Sequence, residues 1–561
     1  MSSAELSTEL PSGQTPAEHS LKQAFVQWWS PANIDKPIFA VESTAWLSRI
    51  DNIVRIVVAV AFAAVLVRVI VSPLQTQNLA HSQTLVSALW GACLIGAWWL
   101  LRGRLRRAGG WLDDHTVIRR WILWGSQAVV TVAALGWSAA LYQPYHGGWD
   151  VDVVTGAAHE WAVNGTFVDP HVMANNDLDY FGTFPNNIGI LNLLRWIYVI
   201  AGPRYANSAV LLLGVVLAGV VVMMAYDLVR RICGTGYAIV CAVLMWILVG
   251  FNPWICVPYT DTFGLIFPVA TLWLLAKLIT ARSWRDRIVL AIVCGLVAGT
   301  GMQIKVTTGI VVIAACCVSL AFFLFVRSHR KKAIAVFAVL ALCGAGTYSA
   351  LGAVFHAALP AEAAQSEPYP LEYFVLTGLS ESADGYGAFD FGTAILMQST
   401  NSKAERQELG REAISDRLDE LGPLGYAEFL YDKAVWVYSD ATFWSFGEGG
   451  NSQDATFKYS GGIAQFIQNL ARPFGTYNLI WATFLQGIWL AALMKTLCAL
   501  LRRAPGVVDV FRLTMVVAVL GFTGYQLLFE ARPRYLFLFV PVIVILAFSG
   551  LNAQRQKLPQ S

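Results

Sequence analysis

Six carboxylates, Asp150, Asp152, Glu160, Asp169, Asp177 and Asp179, crowd the stretch from His146 to Asn187, which holds no lysine or arginine. A carboxylate at an interface can take the proton from a hydroxyl as that hydroxyl attacks. Asp150 and Asp152, just beyond an apolar run, are the residues placed for it, and the Asp-x-Asp spacing turns at most one of them toward a common site. The plainer alternative for any loop aspartate is a solvated surface. His146, His159 and His171 share the stretch without metal-ligand spacing, so they read as hydrogen-bonding residues rather than a zinc site.

Four further polar motifs interrupt apolar sequence. In YFGTFPNNIGI (180–190), Pro185 can open a helix at its first turn. Asn186 and Asn187 supply donors and acceptors that do not titrate, to hold a sugar or orient the base, or they simply form a turn. In VPYTDTFGLIFP (257–268), Asp261 is either a helix cap or a second carboxylate facing Asp150, useful for an acceptor or a metal. Lys305, in GTGMQIKVTTG, sits between two apolar runs. An ammonium there costs on the order of 3 kcal/mol at a helix centre, less if it snorkels, so an anionic partner such as a lipid head group is expected. FEARPRYLFLFVP (529–541) sets Glu530, Arg532 and Arg534 at the start of the last apolar run, with Tyr535 beside them. Paired guanidinium groups clamp phosphate oxygens bidentately.

The elements that must position these residues are helices in a bilayer. The chain has 561 residues, 56% apolar and 13% charged, with mean hydropathy +0.55. Apolar runs of the length that crosses a hydrocarbon core of roughly 30 Å recur along it. The predicted fold is an all-α polytopic membrane protein with about twelve transmembrane helices. Spans are placed near 53–73, 84–101, 121–142, 207–228, 236–252, 262–279, 288–304, 306–326, 333–356, 476–497, 508–528 and 534–550. Nine scattered cysteines without a CxxC read as small buried hydrophobes. The polar start shows no cleavable signal peptide, and LKQAFVQWWS (21–30) fits a surface-lying or a short soluble helix equally.

Lysine and arginine in short loops mark the cytoplasmic side. With twelve spans, the clusters RGRLRR (102–107) with Arg119 and Arg120, Arg230 with Arg231, RSWRDR (282–287), RSHRKK (327–332), Arg502 with Arg503, and Arg555 with Lys557 all share one side with both termini. That count requires NIGILNLLRWIYVIAG (187–202), short and carrying Arg195, to be interfacial or re-entrant. The resulting order is a cytoplasmic tail (1–50), three spans (51–142), an outer loop with juxtamembrane helices (143–206) and a transmembrane core (207–356). An extracytoplasmic cap region (357–475), between the ninth and tenth spans, the last spans (476–552) and a cytoplasmic tail (553–561) complete it. SKAERQELGREAISDRLDELG (402–422) has helical periodicity and i,i+4 charge pairs. That region is either a lid or a plain solvated connection.

No Walker-type loop, HExxH, GxSxG or nucleic-acid module occurs. Taken in order and on one side, WDVDVV…AAHEWAVNG, YFGTFPNN, PYTDTFG, the Lys305 hairpin and EARPRY resemble the GT-C membrane glycosyltransferases that use polyprenyl-phosphate sugars. Among their relatives are protein O-mannosyltransferases and the aminoarabinose transferases acting on lipid A, and the chain looks most similar to the bacterial family-39-type enzymes. The resemblance covers about 145–310 and 525–545; two extra spans precede the family's usual first one, and 357–475 fits less clearly.

The resemblance implies an inverting single displacement with a catalytic Asp, carried onto Asp150 with Asp152 as second choice. It further implies donor-phosphate binding by Lys305, Arg532 and Arg534, and sugar or acceptor contacts from Asn186, Asn187, Tyr180, Asp261, Glu530, Tyr535 and His159. The partners would be a polyprenyl-phosphate-linked sugar, an extracytoplasmic glycan, lipid or protein acceptor, and membrane lipid, with no nucleic acid. No cofactor is required, although carboxylates could hold Mg²⁺ or Mn²⁺. The competing function is a transporter or flippase, whose ionisable residues should lie near mid-bilayer in broken helices. A transferase instead calls for Asp150, Lys305 and Arg532 within one outward cavity reached from the lipid by a side groove.

Overall fold

The computed structural model describes residues 40–42, 45–71, 81–143, 150–172, 178–326, 330–382, 385–445, 458–472, 475–502 and 507–549. His146, Asp177, Arg327, Arg503, Arg555, Lys557, most of the 1–50 tail and the 553–561 tail lie outside them. Three helices precede the acidic stretch: α1 (Ala45–Val71), α2 (His81–Asp114) and α3 (Thr116–Leu141). The stretch itself contributes α4 (Asp150–Asn164) and α5 (Ile188–Ala201). There follow α6 (Ala206–Cys233), α7 (Thr235–Gly250), α8 (Thr260–Thr280), α9 (Trp284–Ile304), α10 (Val306–Phe325) and α11 (Arg330–Ala357). The second hydrophilic region holds α12 (Leu371–Gly378), α13 (Phe391–Gln398), α14 (Lys403–Ser439) and α15 (Gly462–Ala471). The order closes with α16 (Asn478–Leu501), α17 (Val510–Leu528) and α18 (Pro533–Ser549).

Every predicted span coincides with one of these helices; ten are long and apolar enough to cross a bilayer, while α7 and α18 are shorter. α5 has 14 residues, about 21 Å of helix, too short for a hydrocarbon core of roughly 30 Å. It packs on α4, where the Arg195 guanidinium stacks 3.9 Å from the Trp161 ring.

The structure corrects the all-α expectation at small pieces of strand. β1 (Ala40–Glu42) lies before α1, β2 (Glu381–Ser382) and β3 (Gly385–Tyr386) form a hairpin, and β4 (Val507–Asp509) pairs antiparallel with β1. Backbone groups outside helices still need partners, and extended pairing supplies them. Other boundaries also move. α1 begins at Ala45, so Asp51 and Arg55 lie inside a helix; Arg55 bonds Asp51 at 2.9 Å and the carbonyls of Leu500 and Arg502 at 2.8 and 2.9 Å. α2 continues to Asp114 through the RGRLRR cluster, because Arg and Leu are good helix formers. α14 runs past the expected 422 to Ser439, with a kink at Gly422 (φ 61°) before Pro423.

The centre of the bundle is α18. Leu536–Val540 and Val542–Leu546 have 0% exposure, as expected of a helix apolar on all sides. α6, α7, α8, α16 and α17 surround it. The bundle core therefore carries the preceding EARPRY segment to its own axis. α9 and α11 approach closely where Gly295 and Gly299 meet Gly344: a Cβ on Gly299 would lie 2.5 Å from the Gly344 carbonyl oxygen. Such small-xxx-small contacts are how helices pack where lipid offers no hydrophobic drive. Gly189, at the start of α5, meets the Gln303 carbonyl at the end of α9, leaving no room for any side chain.

The two hydrophilic regions are bound together by carboxylates of the first. Asp179 accepts from the backbone N–H groups of Gly182 (2.6 Å), Gln365 (2.9 Å) and Ser366 (2.7 Å). Asp169 accepts from Tyr180 and Ala364, both at 3.0 Å. Ala364 holds φ 59°, a left-handed conformation costly for alanine, which aims its N–H at Asp169. Burial, with Asp179 adding to it, pushes the Asp169 carboxyl up to about 6 against the pull of the Ala364 and Phe181 amides. A raised native pKa favours the protonated form, so this stabilisation is complete below the unfolded value near ~4 and is lost as pH rises through about 6. In thermal unfolding across pH 4–7, Asp169→Asn is expected to remove part of the decline toward neutrality; an unchanged slope would show that Asp169 does not titrate there.

Candidate active site

Asp150 is the first residue of α4, where the helix N-terminus favours a carboxylate. Tyr180 opens a helical turn that Asp179 caps, and its hydroxyl donates to Asp150 Oδ1 at 2.9 Å. Asn187 Nδ2 donates to the Tyr180 oxygen at 2.7 Å. Tyr259, between α7 and α8, lies 3.1 Å from Asn187 Oδ1 and 3.4 Å from Asp150 Oδ2. The base candidate is thus fixed by a ring of hydroxyl and amide groups from two separate segments, 180–187 and the turn at Tyr259. Burial raises the Tyr180 hydroxyl well above its ordinary range, and the neighbouring Asp150 adds to this; Tyr180 therefore stays a donor.

Beside this ring lies a second group. Asp261, in the first turn of α8, is 1% exposed. Its Oδ1 bonds the Lys305 ammonium, and its Oδ2 pairs with Arg534 Nε at 3.3 Å. Lys305 stands between α9 and α10 with its ammonium 4.2 Å from the centre of the Tyr535 ring. Burial pulls the Lys305 amine down to about 8; Asp261 opposes this and Arg534 reinforces it. Glu530 accepts from Arg532 Nε at 2.9 Å. Its carboxyl is pushed up to about 6 by burial and by Asp150, against Arg534 and Lys305. Tyr259 joins the two groups, its hydroxyl 3.4 Å from Asp150 Oδ2 and its ring 5.7 Å from the Arg534 guanidinium. Three carboxylates balance three cations, and Lys305, Arg532 and Glu530 keep 13%, 14% and 22% of their side chains open.

Of the residues singled out in the sequence, Asp150, Tyr180, Asn187, Asp261, Lys305, Glu530, Arg532, Arg534 and Tyr535 therefore gather in one cluster. Asn186 has an exposed side chain, with Nδ2 3.4 Å from Asn187 Oδ1. Asp152 is half-buried on α4, two residues and about 200° around the helix from Asp150. His159 is exposed, nine residues along α4, with its ring 6.0 Å from that of Tyr198. That is some 13 Å of helix away, which sets it outside the cluster.

Residues outside the sequence-predicted set also contribute. Tyr259 is one, although it lies two residues before Asp261 in the same motif. Lys433, fully buried in α14, donates to the carbonyls of Gly378, Leu527 and Phe529; burial pulls its amine down to about 7. It holds the turn just before Glu530, and the Ala531 N–H donates to Gly387 at 2.8 Å. Its mark in the sequence is a lone lysine heading the apolar run KAVWVY. Phe443 and Trp444 both have positive φ, 53° and 56°, which is strained for aromatic residues. Asp440 accepts from the N–H groups of Thr442 and Trp444 to hold them there, and the Trp444 ring lies 5.2 Å from the Arg532 guanidinium.

Among the described residues, no group of three or more His, Cys, Asp or Glu could hold a metal. Asp261 faces a lysine and an arginine, which a divalent ion would have to displace.

A family model described as "Conserved hypothetical integral membrane protein" matches residues 44–555. A comparison with curated proteins found no match. Two solved structures of an Archaeoglobus fulgidus oligosaccharyltransferase are each 12% identical, with TM-scores of 0.34. One is tethered to an acceptor peptide containing the NVT sequon, the other is in complex with an inhibitory peptide and a dolichol-phosphate. They cover 77% and 76% of this chain and 50% of their own, so the chain spans about half their length.

Proposed function

We propose, for a chain that belongs to the family of conserved hypothetical integral membrane proteins, that the Asp150 cluster is the active centre of a glycosyltransferase. The protein is multi-pass, with many apolar helices. The observation that carries the reading is the juxtaposition of a hydroxyl-anchored carboxylate, Asp150, with the cations Lys305 and Arg534 around Asp261. The donor is a sugar on polyprenyl phosphate, and the acceptor is an extracytoplasmic hydroxyl of a glycan, lipid or protein. The cluster then faces away from the cytosol, opposite the basic loops.

The acceptor oxygen forms a bond to the anomeric carbon while its proton passes to a free lone pair of Asp150. The bond from that carbon to the phosphate oxygen breaks with its electron pair on the oxygen, and polyprenyl phosphate leaves with inversion. Fixed cations stabilise the charge growing on that oxygen more in the transition state than before it; Lys305, Arg534 and Arg532 fill that role. Tyr180, Tyr259 and Asn187 hold the base in one orientation. No metal is needed by this scheme. A transporter would place its charges at mid-bilayer, whereas these gather at one end of the bundle.

The test is transfer by purified protein in liposomes supplied with radiolabelled polyprenyl-phosphate sugars or nucleotide sugars. Label is expected to move to an acceptor only from the polyprenyl donors, with EDTA lacking effect. Transfer from nucleotide sugars alone would overturn the donor class, and label crossing the bilayer without transfer would favour the flippase.

A further inference from the structure

At the end of the bundle opposite Asp150, several buried or half-buried cations come with carboxylates: Arg55 with Asp51, Arg119 with Asp113, and Arg230 and Arg231 with Asp227. Lys495 is different. It sits in α16, six residues before the helix ends at Leu501, about 9 Å in from that end, and is half-buried. Among the described residues no carboxylate pairs with it. Its ammonium lies 4.5 Å from the centre of the Trp98 ring, and the cations Arg502 and Arg102 both act on it electrostatically. Arg102 also has no carboxylate partner among the described residues; its guanidinium covers the Trp99 ring at 4.0 Å. The walls are aromatic: Trp98 packs on Tyr237 at 5.0 Å and on Phe548 at 5.6 Å, and the Tyr237 hydroxyl donates to the Arg102 carbonyl at 3.3 Å.

A cation placed so far into a span without a counter-ion marks a binding position by default. Snorkelling gives little relief here, because the way out of the bilayer leads toward Arg502. We propose that the junction of α2, α7 and α16 binds the phosphate of an anionic lipid in the leaflet on the basic side, with Lys495 and Arg102 as ligands. Basic recesses between spans with aromatic neighbours are built for such head groups. The site is independent of the Asp150 cluster, at the other end of the molecule.

The experiment compares wild type, Lys495→Met and Arg102→Gln in phosphatidylcholine nanodiscs with and without phosphatidylglycerol, and in detergent with inorganic phosphate. Thermal midpoint and lipid retained in native mass spectrometry are read together. Phosphatidylglycerol is expected to raise the wild-type midpoint. Each substitution is expected to weaken retention about fivefold, matching ~1 kcal/mol per basic residue at an anionic surface. Lys495→Met is also expected to melt higher than wild type in pure phosphatidylcholine, since it removes an uncompensated cation. Undiminished retention and midpoint gain in both variants would overturn the site. A Lys495-dependent shift with inorganic phosphate equal to that with phosphatidylglycerol would overturn the lipid as its occupant. If Lys495→Met does not fold, Arg102→Gln carries the test alone.

Discussion

Asp150→Asn is expected to lower sugar transfer by 10²- to 10⁴-fold, the usual contribution of a positioned general base, while donor binding is kept. The amide is isosteric, so the contact to the Tyr180 hydroxyl at 2.9 Å survives in geometry, but no basic lone pair remains to receive the acceptor proton. Asp152→Asn, on another face of α4, is expected to retain most activity. The measurement is kcat for transfer from a radiolabelled polyprenyl-phosphate sugar, together with donor affinity. Equal, small losses in both variants would remove Asp150 as the base; a loss only in Asp152→Asn would pass the role to that residue.

The second large effect concerns Asp261. Asp261→Asn leaves the Lys305 ammonium and the Arg534 guanidinium without the carboxylate they share. Removing one partner from a buried ion pair costs about 3–5 kcal/mol, and a lowered thermal midpoint in detergent is expected. Lys305→Met alone should cost less stability, because Arg534 still neutralises Asp261. It should slow transfer by about 30- to 1000-fold, the ~2–4 kcal/mol of one lost contact to a developing anion. In the double variant Asp261→Asn/Lys305→Met much of the lost stability should return, since groups in one network are not additive. Strict additivity of the two single changes would show that the pair is not coupled.

The apolar spans were legible because a bilayer imposes a length and a composition that few other environments impose. The cluster residues were legible for the opposite reason. Lys305, Arg532 and Arg534 stand out as charges where hydrocarbon is the rule, and each such exception needs a partner. Residues whose role lies in tertiary contacts left no such trace. Tyr259 looks like any interfacial tyrosine until its hydroxyl is found beside Asn187 and Asp150. Asp169 and Asp179 read as two more acids of a polar stretch, yet their partners include amides 186 to 195 residues away in 364–366. His159 was drawn in by proximity in the sequence, and helical rise carried it away. Asn186 and Asn187 are adjacent and alike, so only the turn at Pro185 decides which faces inward.

The buried position of Pro533–Ser549 has a consequence for biogenesis. Chain synthesis runs from the N-terminus, so the five helices that enclose this segment leave the ribosome before it does. Until it arrives they surround an unfilled axis, and Glu530, Arg532 and Arg534 are absent from the cluster. A nascent chain caught at that stage would hold Asp150, Asp261 and Lys305 but neither arginine of the cluster, and competence would come in a single late step rather than by gradual growth.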